Sequence, residues 1–190
     1  MAEHPGAERP RAEGSRAGGP GAGGPGAGEA SGRLVIGLGN PDRGDDAAGR
    51  VAVRALAGRL PLGVALREAG GMAAELVGLL ATCREVWIVD ATSCGAAPGT
   101  LCRFDAGAGP LPASLVGVSS HGLGLGTAVE LARALGCLPA RCIVWGIEGA
   151  RFDHGAALSP EVAGAVGTLA ARIRQEVEGA SPPPMACPSP

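Results

Sequence analysis

The sequence predicts an α/β layer sandwich built on a mostly parallel sheet, and three observations carry that expectation. Short, wholly apolar runs recur through the middle of the chain. Stretches with apolar residues at helical spacing separate them, and Gly, Pro, Asn and Asp punctuate the junctions. Strand–helix alternation of this kind covers a sheet with helices and leaves most of its strands parallel.

Taken in order, residues 33–38 (RLVIGL) form a buried strand ended by Gly39-Asn40-Pro41. Residues 46–60 carry apolar side chains at 47, 48, 51, 52, 55 and 56, a helical stripe with Asp45 or Asp46 available as N-cap. Residues 64–68 make a second strand, 72–81 a second helix and 85–90 (EVWIVD) a third strand. A Pro98-Gly99 turn leads to a short fourth strand at 100–104, expected to be antiparallel. A helix starting near Ser119-Ser120 and continuing through 127–135 precedes the fifth strand at 140–147. The last helix runs over 160–177 with Ser159 as its N-cap.

The folded unit is expected to span 33–178. Of residues 1–32, 21 are Gly, Ala or Pro, and GGPGA occurs at 18–22 and again at 23–27. Apart from Met1 this stretch has no Leu, Ile, Val, Met or aromatic side chain, so it cannot bury enough apolar area to offset its ordering entropy. Residues 180–190 hold five prolines in eleven positions, which makes 179–190 a second tail expected to be disordered. The domain between them is long enough to bury roughly 70% of its unfolded-chain surface without a staple.

Composition excludes several functions. The basic residues are 16 arginines with no lysine, against 18 acids, for a net charge of −2. A nucleic-acid-binding domain would carry a basic excess or stripe. Aromatics make up 2% of the chain, with no Tyr, too few for base-stacking surfaces. No apolar run is long enough to span a membrane, and residues 1–32 lack the apolar core of a secretion signal, so a cytoplasmic protein is expected. The six cysteines, at 83, 94, 102, 137, 142 and 187, form no CxxC pair and read as thiols. Cys94 stands out because it follows a strand-ending aspartate by four residues.

In such sheets chemistry collects at the carboxyl ends of the strands. Strand one runs into GLGNPDRGDDAAG (37–49), strand three ends on Asp90, strand five runs into Glu148, and the helix before it opens with Ser119-Ser120-His121. Asp46, Asp90 and His121 can therefore converge on one cleft. A dinucleotide-binding turn fails here, because Asp42 stands where the third glycine belongs and Asp45-Asp46 would repel a phosphate at the helix N-terminus. Glu68, placed like a ribose-binding acid, cannot rescue that site. Acids where an anion site should be suggest a cation. Two carboxylates and an imidazole suit a borderline divalent metal with positions left open. Each residue also has an ordinary structural reading: Asp46 as a helix cap, Asp90 as a turn former, His121 bonded to backbone at a helix start. No Ser-His-Asp or Cys-His nucleophile stands out.

The order of motifs adds a resemblance. Gly37-x-Gly39-Asn40-x4-Asp45-Asp46-x-x-Gly49 resembles the opening of the hydrogenase maturation proteases. Glu75-Leu76, Val89-Asp90-Ala91, Pro98-Gly99-Thr100, Ser120-His121-x-Leu123-x-Leu125, Gly146-Ile147-Glu148 and Leu158-Ser159-x-x-Val162 follow in the family's order and cover 33–178. The resemblance implies a three-layer α/β/α sandwich with a five-stranded, twisted, mostly parallel sheet and one antiparallel strand. It implies an endopeptidase that removes the C-terminal extension of a nickel-loaded nickel–iron hydrogenase large-subunit precursor. Asp46, Asp90 and His121 are then the metal-engaging and catalytic residues, the nickel arrives with the precursor, and no permanently bound cofactor is expected. A monomer is expected, without membrane or nucleic-acid partners. Aspartate at 46 stands where some members carry glutamate, and Glu68-Ala69-Gly70-Gly71-Met72 departs from a Gly-Gly-Thr type sequence, so that loop receives no role.

Two alternatives use the same residues. LVIGLGNP (34–41) also resembles the start of peptidyl-tRNA hydrolases, but Gly44-Asp45-Asp46-Ala47 replaces their Thr-Arg-His-Asn element. A non-catalytic nickel-binding maturation module would bind metal without cleaving peptide. Around the site, Glu148 is expected to line the cleft or cap a turn, Glu75 to support packing or touch substrate, and His154 to be solvated.

Overall fold

The computed structural model describes Met1, residues 32–112 and residues 124–179. The tails therefore lie almost wholly outside the described residues, as do His121 and Ser119-Ser120; the helix expected to run on from those serines instead begins at Leu125, because Gly124 before it is extended. Five strands, β1 (Arg33–Gly37), β2 (Val64–Glu68), β3 (Glu85–Thr92), β4 (Leu101–Asp105) and β5 (Arg141–Glu148), form one sheet in the order β2-β1-β3-β5-β4. The first four in that order are parallel, and β4 pairs antiparallel with β5 at the edge. The helices are α1 (Ala48–Ala55), α2 (Ala73–Leu80), α3 (Leu125–Ala134) and α4 (Pro160–Val177).

The central strands are nearly continuous apolar runs because both faces of a parallel sheet are covered. One face buries Leu34, Ile36, Val86, Ile88 and Val144 against Leu76 and Leu80 of α2 and Ala128, Val129 and Ala132 of α3. The other buries Val35, Trp87, Val89, Ile143, Trp145 and Ile147 against Ala52 and Val53 of α1, Leu56 just after it, and Val162, Val166, Leu169 and Ile173 of α4. The result is a three-layer α/β/α sandwich, as expected. On the second face Glu176, fully buried, accepts from Trp87 Nε1 at 2.9 Å and from Arg103 Nε at 2.8 Å.

β2 and α4 occupy the expected residues. Other boundaries differ for local physical reasons. The stripe expected over 46–60 is a 3-10 turn (Gly44–Ala47) followed by an α-helix that stops at Ala55. Its end tightens through bonds from the amides of Leu56 and Ala57 to the carbonyls of Val53 and Arg54. Neither Asp45 nor Asp46 caps this helix, because other parts of the fold occupy both side chains. β3 continues two residues past Asp90, held in register with β5 to Thr92↔Glu148. Ser159 holds the N-cap position of α4, but its hydroxyl turns away from the helix to Asp45 Oδ2 at 2.8 Å.

Candidate metal-engaging site

β1 and β3 are neighbours, and the chain leaves β1 for β2 at one edge of the sheet and β3 for β4 at the other, so the two connections diverge between them. The crevice beyond their carboxyl ends is the ligand position of this topology. The connection after β1 delivers Asp46 there. Gly39, with φ +112°, lies under the Asp46 carbonyl, and any side chain on it would collide with that oxygen. The returning turn brings Asp46 Oδ2 to the backbone amide of Asn40 at 2.9 Å. One turn later Gly49 meets the carbonyls of Leu38 and Val89, and Gly37 meets the carbonyl of Gly49. The glycines of the 37–49 motif thus stand where backbone touches backbone. They press α1 onto the ends of β1 and β3.

Asp90 reaches the same crevice from β3, opposite Gly146 of β5. It is half-buried, and its Oδ1 accepts from Ala91 N at 2.9 Å. Desolvation and the nearby Asp46 carboxylate push its carboxyl up to about 7, against the lowering effect of the Ala91 bond. Two carboxylates close enough for one to raise the proton affinity of the other suit a cation between them. Among the described residues no three His, Cys, Asp or Glu side chains form a metal-binding group, and His121, the expected third member, lies outside them.

Asp45, the neighbour of Asp46, has a different duty. It is fully buried and accepts four hydrogen bonds: Ala150 N at 2.8 Å, Arg151 N at 3.0 Å, Ser159 N at 2.6 Å and Ser159 Oγ at 2.8 Å. Burial alone would raise its carboxyl, but these bonds outweigh burial and hold it below the usual range. Its own amide donates to Arg151 O at 2.9 Å. Sequence reasoning missed this role because the partners lie 105 to 114 residues away.

Glu148, at the end of β5, is 2% exposed and caps the turn after β3. Its carboxylate accepts from Cys94 N and Gly95 N at 2.8 Å each, from Thr92 Oγ1 at 2.8 Å and from Cys94 Sγ at 3.1 Å. Burial favours its neutral form, but these donors hold the carboxyl below its ordinary value. Cys94, singled out in the sequence, is thereby a thiol donor to Glu148. Glu75 is exposed on α2, so it does not support packing, and His154 is exposed as expected. Glu68, at the carboxyl end of β2 beside Gly37, pairs with Arg54 of α1 through two bonds of 2.7 Å.

Comparison with known proteins gives a consistent picture. Residues 52–176 match the family model described as hydrogenase maturation protease. That span contains Asp90 and His121 and begins just after Asp46. No curated protein sequence matches the chain. Among solved structures, the hydrogenase maturating endopeptidase HybD from E. coli is 27% identical with a TM-score of 0.65, covering 77% of this chain and 93% of that one. An Escherichia coli endopeptidase solved in solution is 26% identical with a TM-score of 0.68, covering 78% and 95%. The nickel–iron hydrogenase maturation protease HycI from Thermococcus kodakarensis is 26% identical with a TM-score of 0.62, covering 77% and 93%.

Proposed function

The chain belongs to the hydrogenase maturation protease family and is a peptidase of that family. From that premise we propose that it removes the C-terminal extension of a nickel-loaded nickel–iron hydrogenase large-subunit precursor in the cytoplasm, acting as a monomer. The observation that carries this reading is the Asp46–Asp90 pair at the carboxyl ends of β1 and β3. One carboxylate raises the proton affinity of the other, in the crevice where this topology binds ligands.

In this reading Asp46 and Asp90 supply carboxylate donors, and His121 supplies an imidazole. Nickel is substrate, arriving in the precursor with its remaining ligands. Bound there, it orients the extension and acts as a Lewis acid toward the scissile peptide. Asp90 must give up a proton to bind a cation, and Asn40 N holds Asp46 in place while it does so. The five described cysteines are thiols and not disulfides, which suits the reducing compartment proposed. No described helix is long and apolar enough to cross a membrane.

The test uses the purified full chain and precursor prepared with and without nickel. Cleavage of the loaded precursor alone supports the reading. Equal cleavage of the metal-free form overturns it.

A further inference from the structure

The two segments that carry Asp46 and Asp90 are tied to the same short stretch of chain, residues 148–151 at the end of β5. On one side Asp45, next to Asp46, receives the amides of Ala150 and Arg151 and returns its own amide to Arg151 O. The same strap continues outward, with Gly155 N donating to Asp42 O at 2.7 Å and Arg43 Nε to Phe152 O at 3.3 Å. On the other side Glu148 receives Thr92 Oγ1 and the amides of Cys94 and Gly95, the residues that follow Asp90. Gly149 N closes this side by donating to Thr92 O at 2.9 Å.

Neither carboxylate sits in the crevice as a donor for ligand: Asp45 is fully buried and Glu148 nearly so, with their bonding directed into the fold. We infer that Asp45 and Glu148 are a pair of positioning residues that hang the Asp46 and Asp90 segments from residues 148–151 and so set the spacing of the two carboxylates. This inference rests on the metal reading of Asp46 and Asp90 proposed above.

Ionised carboxylates suit the task because they only accept. Asp45 meets three N–H donors and a hydroxyl, distributed over both oxygens. In Asp45→Asn the amide NH2 must face either the Ala150 and Arg151 amides or the Ser159 amide, and neither orientation satisfies all donors. Glu148 is different. One oxygen takes backbone amides, while the other takes a hydroxyl and a thiol along with a longer contact from Cys94 N. A glutamine there can keep its oxygen on the amides and donate to the hydroxyl, which can turn to accept. Glu148→Ala keeps none of this.

The experiment titrates Ni2+ into the purified full chain and its variants by calorimetry, with the melting temperature measured on the same samples. Removing an outer support of a metal ligand typically costs about 10–100-fold in affinity. Asp45→Asn and Glu148→Ala are expected to weaken Ni2+ binding at least about tenfold while remaining folded, and Glu148→Gln to restore most of what Glu148→Ala loses. If Asp45→Asn and Glu148→Ala lower the melting temperature but bind Ni2+ like the parent, both residues serve the fold alone and the inference is overturned. Asp46→Asn and Asp90→Asn are the reference. If these also bind Ni2+ like the parent, or if the parent shows no binding at millimolar metal, the metal reading beneath the inference fails instead.

Discussion

The Asp90 carboxyl is lifted to about 7 because it is desolvated and because the Asp46 carboxylate lies beside it, while only the Ala91 amide pulls the other way. The fold therefore prefers Asp90 protonated, and that preference has a pH signature. A carboxyl raised in the folded state costs stability as pH climbs from the ordinary aspartate range to about 7, and the cost is complete above that. Asp90→Asn should stabilise the protein more at pH 8 than at pH 5, by thermal melts at both, while removing processing. Asp46→Asn should bring the Asp90 carboxyl down, which a carbon-13 NMR titration of that side chain reads directly.

Asp45 and Glu148 have the opposite sign. Both are held below the usual carboxylate range by hydrogen bonds that outweigh burial. Their stabilisation is present above the unfolded-state values and is lost as pH falls through the folded-state values. The melting-temperature gap between the parent and Asp45→Asn should therefore be widest near neutrality and narrow on acidification below about pH 4. A gap that stays constant down to pH 2 would mean that the ionised Asp45 carboxylate is not the stabilising form.

Much of the sandwich was legible because apolar periodicity reflects burial, and burial here is set by two well-covered faces. β2 and α4 came out residue for residue, and the turn glycines marked strand ends. The first helix was read as too long and wrongly capped, since Asp45 and Asp46 look like caps to local rules but are engaged by Ala150, Arg151, Ser159 and Asn40. Asp90 was legible as a strand-end acid although β3 runs on to Thr92, because the ladder to β5 continues past the point where apolarity stops. The support given by Asp45 and Glu148 was not legible in full. Hydrogen bonds across more than 50 residues leave no periodic trace in sequence.

Gly49 is where α1 lies against the sheet ends. A methyl group there would meet the carbonyls of Val89 and Leu38, which are backbone atoms and cannot swing aside. Gly49→Ala should cost about 3 kcal/mol or more, at the upper end of overpacking penalties, despite alanine's better helix propensity. Urea unfolding gives the value; a neutral or stabilising result would show that α1 can lift without loss.

Glu176 tests the opposite case, a buried charge far from the crevice. Glu176→Ala would leave Trp87 Nε1 without its acceptor and strip Arg103 of its ion-pair partner. Removing one partner of a buried pair costs several kcal/mol, and Arg103 keeps some solvent contact, so a loss of about 3 kcal/mol is expected. Processing per folded molecule should be unchanged, because this pair lies near the other end of β3 from Asp90. Equal loss of stability and specific activity would show that strain at this end reaches the site.

Metal dependence should reside in the substrate. Two carboxylates and one imidazole give at most three protein ligands, few for a metal held permanently, and no described cysteine joins them. Cys94, the nearest in sequence to Asp90, donates its thiol to Glu148 and is bound into the turn. A site with open positions suits a metal whose other ligands come from the partner. The purified protein should therefore carry little nickel by elemental analysis, yet cleave nickel-loaded precursor. His121→Ala and Asp90→Asn should each reduce cleavage by at least about 100-fold, since removing a ligand also removes the orientation it supplies. Asp46→Glu keeps a carboxylate on a side chain one methylene longer and should retain substantial activity, because Asn40 N can still reach an acceptor there. Full activity of His121→Ala on the loaded precursor would remove the imidazole from the proposed set. Undiminished cleavage of metal-free precursor by the parent protein would show that the carboxylates act on the peptide without the ion.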